Sequence, residues 1–221
     1  MEIDATPVTS EAITVAEICI IGSGPAGLVL AAELCRRGRD VLLLESGTHA
    51  TDAAVVRHRA QELNEGSCVG DSYAGLSVTR HRSVGGTTSL WNTPTRYGAG
   101  AKYVPLDPWD FEPRWPEASD GWPISFEQLL PFYERAQSVC GLGAFEHKPD
   151  LPRSSNVSPI TIGKGVESGL YQMGARDSLI TPLLEVLRNS PNARIMTNAT
   201  VTAVRAQASH TTVRVADQQR T

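Results

Sequence analysis

The chain has 221 residues, of which 41% are hydrophobic, enough for one sizeable core or two small domains. Its formal net charge of −4 and its scattered Lys and Arg residues give no indication of a nucleic-acid partner. The cysteines show no C-x-x-C spacing, so neither a zinc site nor a redox pair is indicated. Residues 1–14 carry acids and lack the apolar segment of a signal peptide, so none is expected, and no run approaches the roughly 20 apolar residues of a membrane span. These features predict a cytoplasmic protein without membrane partners.

A short apolar run at residues 15–21 leads into the pattern G-x-G-x-x-G and then into a helix predicted at 25–37. In such a motif the first glycine, Gly22, allows a tight turn, and Gly24 lets a pyrophosphate approach the backbone. Gly27 allows the helix to pack closely on the strand. The helix N-terminus offers free N–H groups to phosphate. We therefore assign to cofactor binding the residues Gly22, Ser23, Gly24, Pro25, Ala26 and Gly27.

A second buried strand is predicted at residues 40–45, and it ends in an acid. Glu45 lies 18 residues beyond Gly27, where a carboxylate accepts hydrogen bonds from a ribose diol. Its charge would repel a 2′-phosphate, so the pattern predicts a dinucleotide without that group. This spacing makes the glycine motif more specific than the motif alone.

Further elements follow from periodicity and capping. Ser125 and Gln128 have the spacing of a capping box, which predicts a helix from 125 to 139. The remaining predictions are a weak helix at 51–64, a loop at 65–82, an extended excursion packed by aromatic residues at 93–123, a helix at 181–189, and strands at 194–197, 200–206 and 211–215.

A second pair of glycines, Gly85 and Gly86, stands beside the hydroxyl residues Thr87 and Thr88. This composition suits close backbone approach together with hydrogen bonds to a phosphate or a ring edge. By itself the segment is more typical of an ordinary turn rich in Gly and Ser. Together with the first motif, it indicates a second cofactor-binding loop.

Four segments, in this order, resemble the glucose–methanol–choline (GMC) oxidoreductase family: LESG at 44–47, RHRSVGGTT at 80–88, GWPI at 121–124 and NARIMTNATV at 192–201. The resemblance implies an α/β fold, with a Rossmann-like FAD-binding domain of parallel strands and helices followed by the start of an antiparallel meander. It implies that FAD is the cofactor, with Ser46 and Arg82 among its contacts and the backbone of Val201 addressing the adenine.

Within that family, residues 89–92 are most similar to the pyranose-oxidase-like sugar oxidoreductases. Those proteins carry a histidine, to which the flavin is covalently attached, at the position of Leu90. Since leucine has no nucleophilic side chain, the resemblance implies a non-covalent FAD. Asn92 is then expected near the edge of the isoalloxazine ring.

The family oxidises a CH–OH group of a sugar or other alcohol by hydride transfer to the flavin, and its base is a histidine late in a much longer chain. None of the five histidines here lies in a matching segment, so no catalytic residue and no metal ligand is assigned. His81 adjoins the second glycine loop, but a role as a solvated or phosphate-neighbouring residue is favoured. The chain is interpreted as the FAD-binding N-terminal portion of such an enzyme, inactive alone, whose small-molecule substrate is a sugar or alcohol.

Two other hypotheses remain open. One is a non-catalytic module that binds FAD or another nucleotide, and the other is a nicotinamide-binding Rossmann subunit. The second glycine loop disfavours the nicotinamide hypothesis.

The predicted organisation has three segments: a first part of the FAD-binding domain at 14–100, a substrate-side insertion at 101–180, and a continuation of the FAD-binding domain at 181–221. The last segment ends within its meander and offers no strand to lie beside the first one. We therefore expect the fold to be incomplete, with an apolar strand at an open sheet edge, unless a second chain covers it.

Overall fold

The structure is a computed structural model, and it describes residues 1–5, 12–49, 67, 69–70, 75–91, 94–95, 98–113, 121–147, 163, 169–175 and 178–216. The described strands are β1 (Glu2–Asp4), β2 (Ile18–Ile21), β3 (Val41–Leu44), β4 (Pro94–Thr95), β5 (Gly98–Ala99), β6 (Lys102–Tyr103), β7 (Gln172–Met173), β8 (Ala193–Thr197), β9 (Val201–Ala206) and β10 (Thr211–Val215). The described helices are α1 (Pro25–Arg36), α2 (Leu76–Thr79), α3 (Thr88–Trp91), a 3₁₀ turn (Pro108–Phe111), α4 (Phe126–Val139) and α5 (Ile180–Asn189). The chain divides into two compact units, residues 1–91 with 180–221 and residues 92–179.

The first unit contains a four-stranded parallel sheet in the order β1-β8-β3-β2. All four residues of β3 are buried, because this central strand is covered on both faces, as its continuous apolar run predicts. Helices α1 and α5 lie in contact and contribute buried residues to the core: Leu28, Ala31, Ala32, Cys35, Leu183, Leu184 and Leu187. The predicted Rossmann-like fold of parallel strands and helices is confirmed.

The strand β1 was not evident from the sequence, because its three residues contain a single apolar side chain, Ile3. It forms through tertiary pairing with β8, in the register Ile3↔Met196. The N-terminal ammonium of Met1 donates to the carbonyl of Ala193 at 2.7 Å and fixes the start of the strand.

Strand β2 pairs with β3 and, among the described residues, with no other strand. Cys19 and Ile21 are exposed on it, Ile21 to 52%. In the described part of the chain, the expected apolar edge is therefore present. The strand begins at Ile18, three residues later than predicted, and residues 12–16 are not paired.

After β8 the chain forms the predicted antiparallel pair, β9 with β10. The turn between them closes where the Gln207 N–H donates to the carbonyl of His210 at 2.8 Å. The start of the antiparallel meander is thus confirmed.

The second unit contains two short antiparallel pairs, β4–β5 and β6–β7, together with α4. The Ser125 side chain accepts from the Gln128 N–H at the start of α4, and the Gln128 side chain accepts from the Ser125 N–H, as the capping box predicts. Pro131 lies inside this helix without ending it. Aromatic rings pack in succession along the unit, with centroids 5.5 to 6.1 Å apart: Phe111–Trp122, Phe111–Phe126, Phe126–Tyr133 and Tyr133–Phe145.

The predicted helix at 51–64 lies outside the described residues. Within the described ranges, every helix is too short or too polar to span a bilayer.

Candidate nucleotide-binding site

The first glycine loop joins the end of β2 to the start of α1. Gly22 has φ +94°, a conformation that favours glycine, and the Gly22 N–H donates to the carbonyl of Leu44 at 2.7 Å. Gly24 is the N-cap of α1 in extended conformation, and Pro25 occupies the first helical turn. The loop therefore has the strand–turn–helix context that makes this pattern a nucleotide motif.

Gly27 and Gly24 differ in the space beside their Cα atoms. A Cβ added at Gly27 would overlap the carbonyl oxygen of Gly22, so glycine is required for the close contact of helix and strand. A Cβ added at Gly24 would meet no atom within 4 Å. The packing glycine and the open glycine thus lie where the motif predicts, and the open side of Gly24 leaves room for a ligand to approach the backbone.

The carboxylate of Glu45 faces the first glycine loop and is 5% exposed. Its Oε2 accepts from the Ser23 N–H at 2.9 Å and from the Ser23 hydroxyl at 2.6 Å. Its Oε1 accepts from the Gly47 N–H at 2.9 Å and from the Ser46 hydroxyl at 3.3 Å. The carboxylate therefore ties the loop to the turn at residues 45–47, a structural role that the sequence did not indicate.

The second glycine turn contacts the first loop directly. The Gly85 N–H donates to both the carbonyl and the hydroxyl of Ser23, at 3.1 and 3.2 Å. Gly85 and Gly86 have φ +90° and +59°, and a Cβ at Gly86 would lie 3.4 Å from the Cα of Gly24. The Thr88 hydroxyl, buried at 3% exposure, donates to the carbonyl of Gly85. Two glycine motifs separated by about sixty residues thus form one surface.

The segment before the second turn packs against the turn that follows β3. Arg82 Nη1 donates to the Ser46 hydroxyl at 3.2 Å, and a Cβ at Gly47 would overlap the carbonyl of Arg82. Thr48 and Ser83 form an isolated parallel bridge. The fully buried Ser83 hydroxyl contacts His81 Nδ1 at 3.1 Å, which places His81 in this packing.

Gly47 and Ser83 were missed as site residues. The sequence signal for both was their place in the LESG and RHRSVGGTT segments that carry the family resemblance.

The segment between β8 and β9 reaches the same region. The Asn198 N–H donates to the carbonyl of Gly47 at 2.8 Å, and the Ala199 N–H donates to that of Glu45 at 2.7 Å. Val201 packs against the core cluster that includes Leu44 and Met196.

Most of the predicted site residues therefore converge on the carboxyl ends of β2 and β3. Thr87 is half-buried in the second turn, Ala26 is exposed on α1, and Asn92 lies outside the described residues. Among the described residues, no group of three or more His, Cys, Asp or Glu side chains could hold a metal ion.

This arrangement is the strand, glycine loop and helix of a Rossmann-like domain. Residues 20–62 match the family described as the NAD(P)-binding Rossmann-like domain.

The chain is also similar to two curated proteins and to one solved structure. The 6'''-hydroxyparomomycin C oxidase of Streptomyces lividus is 33% identical over 149 residues, which make up 64% of this chain and 26% of that protein. The 2-methyl-1,2-propanediol dehydrogenase of Mycolicibacterium austroafricanum is 27% identical over 172 residues, 72% of this chain and 31% of that protein. The crystal structure of pyridoxine 4-oxidase from Mesorbium loti superposes with a TM-score of 0.52 at 20% identity, covering 92% of this chain and 48% of that one.

These similarities are consistent with the N-terminal region of a GMC-type oxidoreductase. The resemblance predicted from the sequence is thereby confirmed. The chain spans 26% and 31% of the length of the two curated relatives.

Proposed function

We propose that this chain is the FAD-binding portion of an oxidoreductase that acts on a CH–OH group of a sugar or another alcohol. One observation carries the proposal: the Gly85 N–H is bonded to Ser23, which joins the second glycine turn to the Rossmann loop. A nucleotide half-site needs only the Rossmann loop. A second backbone turn beside that loop suits a dinucleotide, which extends beyond the half-site.

The shape of the backbone supports a dinucleotide of this kind. The open side of Gly24 and the N-terminus of the twelve-residue α1 suit a pyrophosphate. Glu45, with Ser46 beside it, would bind the ribose, and the backbone of Val201 would meet the adenine. The flavin side falls to residues 85–88 with Arg82 and Asn92.

FAD, when bound, supplies the hydride acceptor. The chain's own residues bind and orient it, and none of them is proposed as the catalytic base. His81 is already hydrogen-bonded to Ser83 beside the second turn. Residues 101–180 are proposed as a substrate-side insertion, and the base and most of the substrate pocket are assigned to the part of the relatives that this chain does not span.

The substrate class rests on the relatives. One is named as an oxidase of a hydroxylated compound and the other as a dehydrogenase of a diol. Both names describe hydroxyl-bearing small molecules, which supports oxidation at a CH–OH group.

The first test is a titration of the purified chain with FAD, in which binding is measured by the quenching of flavin fluorescence. NAD⁺ and NADP⁺ are added as competitors. We expect weak but saturable FAD binding that neither nicotinamide nucleotide displaces. Displacement by NAD⁺ at lower concentration than FAD would favour a nicotinamide-binding subunit, as the description of the matched family allows. The matched variant is Gly24→Val, whose side chain would fill the open side of the loop.

A second test concerns the linkage. Leu90 lies in α3, at the position where related proteins carry the linking histidine. After acid precipitation of the FAD-loaded protein, all flavin absorbance is expected in the supernatant. Flavin fluorescence that stays with the denatured protein would contradict the non-covalent assignment.

A third test separates an enzyme from a non-catalytic module. Dye reduction is measured with a panel of sugars and alcohols. The chain alone is expected to give none, and dye reduction by a longer protein that continues this sequence would distinguish the enzyme from the module. Steady turnover by the purified 221-residue chain would refute the assignment of the base to another part of the protein.

A further inference from the structure

The four hydrogen bonds to the Glu45 carboxylate raise a question about ribose recognition, on the proposed function that this site binds FAD. A carboxylate offers about four acceptor positions, two on each oxygen. Ser23 fills both positions of Oε2, and Gly47 and Ser46 fill those of Oε1. A ribose hydroxyl can therefore reach the carboxylate only when one of these donors leaves.

Ser23 cannot leave without disturbing the loop. The residue is fully buried, and its hydroxyl donates to Glu45 at 2.6 Å while accepting from the Gly85 N–H at 3.2 Å. Rotation of this side chain would break the shortest bond to the carboxylate and one link between the two glycine turns. The Gly47 N–H is equally fixed, because it belongs to the backbone of the turn.

Ser46 is the exchangeable donor. Its hydroxyl is only half-buried, and its 3.3 Å distance to Oε1 exceeds the common O–H···O range of about 2.5–3.0 Å. It also accepts from Arg82 Nη1 at 3.2 Å, so the oxygen keeps a partner when its proton turns away from Glu45. Loss of the Ser46 hydroxyl would remove no backbone hydrogen bond to Glu45, because the backbone donors to this carboxylate are the N–H groups of Ser23 and Gly47.

We infer that the Ser46 hydroxyl holds the place of a ribose hydroxyl on Glu45 until the nucleotide binds, whereas Ser23 is a fixed positioning residue for the same carboxylate. The two serines donate to one side chain, yet their removal should have opposite effects. Loss of Ser46 removes a competitor of the ligand, and loss of Ser23 releases the carboxylate from its binding orientation.

The experiment measures the binding of ADP and of 2′,3′-dideoxy-ADP by isothermal titration calorimetry to the full chain and to Ser23→Ala, Ser46→Ala and Ser209→Ala. Ser209 lies exposed in the turn between β9 and β10 and serves as the matched serine control. For ADP we expect Ser46→Ala to bind about threefold tighter and Ser23→Ala about tenfold weaker, the scale of one neutral and one charge-assisted bond. The dideoxy nucleotide has no ribose hydroxyl to offer. For this ligand, the ratio of the variant's affinity to that of the parent should be close to one for both variants.

The comparison of the two nucleotides separates positioning from folding, because a variant that merely destabilises the protein weakens both ligands alike. Weaker ADP binding by Ser46→Ala, or equal changes for both nucleotides in either variant, would overturn the inference. If the parent chain binds ADP but shows such a result, only the inference fails. If the parent binds neither FAD nor ADP, the proposed function fails with it.

Discussion

The Ser23 hydroxyl donates a 2.6 Å hydrogen bond to Glu45 Oε2, and both residues are buried. This bond links Ser23, which lies between the first two glycines of the nucleotide motif, to the acid at the end of the next strand, two features that a sequence motif treats as separate. The acid is therefore part of the loop's own architecture, and substitutions at Glu45 act on the fold as well as on a ligand.

Glu45→Gln should lower the free energy of unfolding by about 2 kcal/mol, in addition to weakening nucleotide binding. The new amide group must point its NH₂ either at the Ser23 N–H or at the Gly47 N–H, so one donor faces another. Urea denaturation measured by circular dichroism gives the change. The matched control is Glu185→Gln, an exposed position on α5, which should stay within about 0.5 kcal/mol of the parent.

For FAD itself, Glu45→Gln should bind more weakly because a charge-assisted bond to the ribose becomes neutral. FAD binding equal to that of the parent would show that Glu45 is not a ribose ligand, whatever its effect on stability.

Two alanine substitutions in the same loop should fail in different ways. Gly27→Ala would force a Cβ onto the Gly22 carbonyl, so we expect a loss of stability of about 3 kcal/mol or a chain that does not fold. Gly24→Ala adds its methyl group to open space, so the melting temperature should hold while FAD binding falls at least about tenfold. Thermal melting and fluorescence titration separate the two. The division of roles between these glycines is wrong if Gly24→Ala melts earlier than Gly27→Ala.

The edge strand predicts self-association of the chain. Ile21 is 52% exposed on β2, which has one strand neighbour among the described residues, and an apolar edge is a template for pairing with another chain. Ile21→Lys should shift size-exclusion elution toward the monomer at high protein concentration. Val15→Lys, at an exposed position outside any strand, is the control. Unchanged concentration dependence in Ile21→Lys would remove the edge as the cause.

The second unit should lose stability at high pH. Burial, with the neighbouring Cys140 as a further cause, raises the pKa of Tyr103 to about 12. Because the unfolded tyrosine ionises near pH 10, the unfolded state releases its proton first, and stability falls between about pH 10 and 12. Tyr103→Phe should reduce this slope in urea denaturation series, while Tyr171→Phe, at an exposed residue, should leave it unchanged. Identical slopes for the parent and Tyr103→Phe would contradict the assignment.

Local sequence patterns predicted much of the fold, because the forces that decide these elements act between near neighbours. Three such patterns correspond to elements of the structure. The apolar run before Gly22 contains β2, the buried run ending at Leu44 is β3, and the capping box at Ser125 begins α4. The strand at Glu2–Asp4 was not predictable in this way, since three mostly polar residues form a strand only when β8 is there to pair with them.

The same distinction between local sequence and tertiary contacts applies to the candidate site. The sequence by itself determined which glycines the nucleotide loop needs, since backbone conformation and the absence of a Cβ are local properties of Gly22, Gly24 and Gly27. Only the tertiary structure decided that Gly85 would reach Ser23 and that Glu45 would face inward to receive four donors. Those contacts depend on how two turns about sixty residues apart are brought together by the sheet and its helices, and no spacing along the chain encodes that distance.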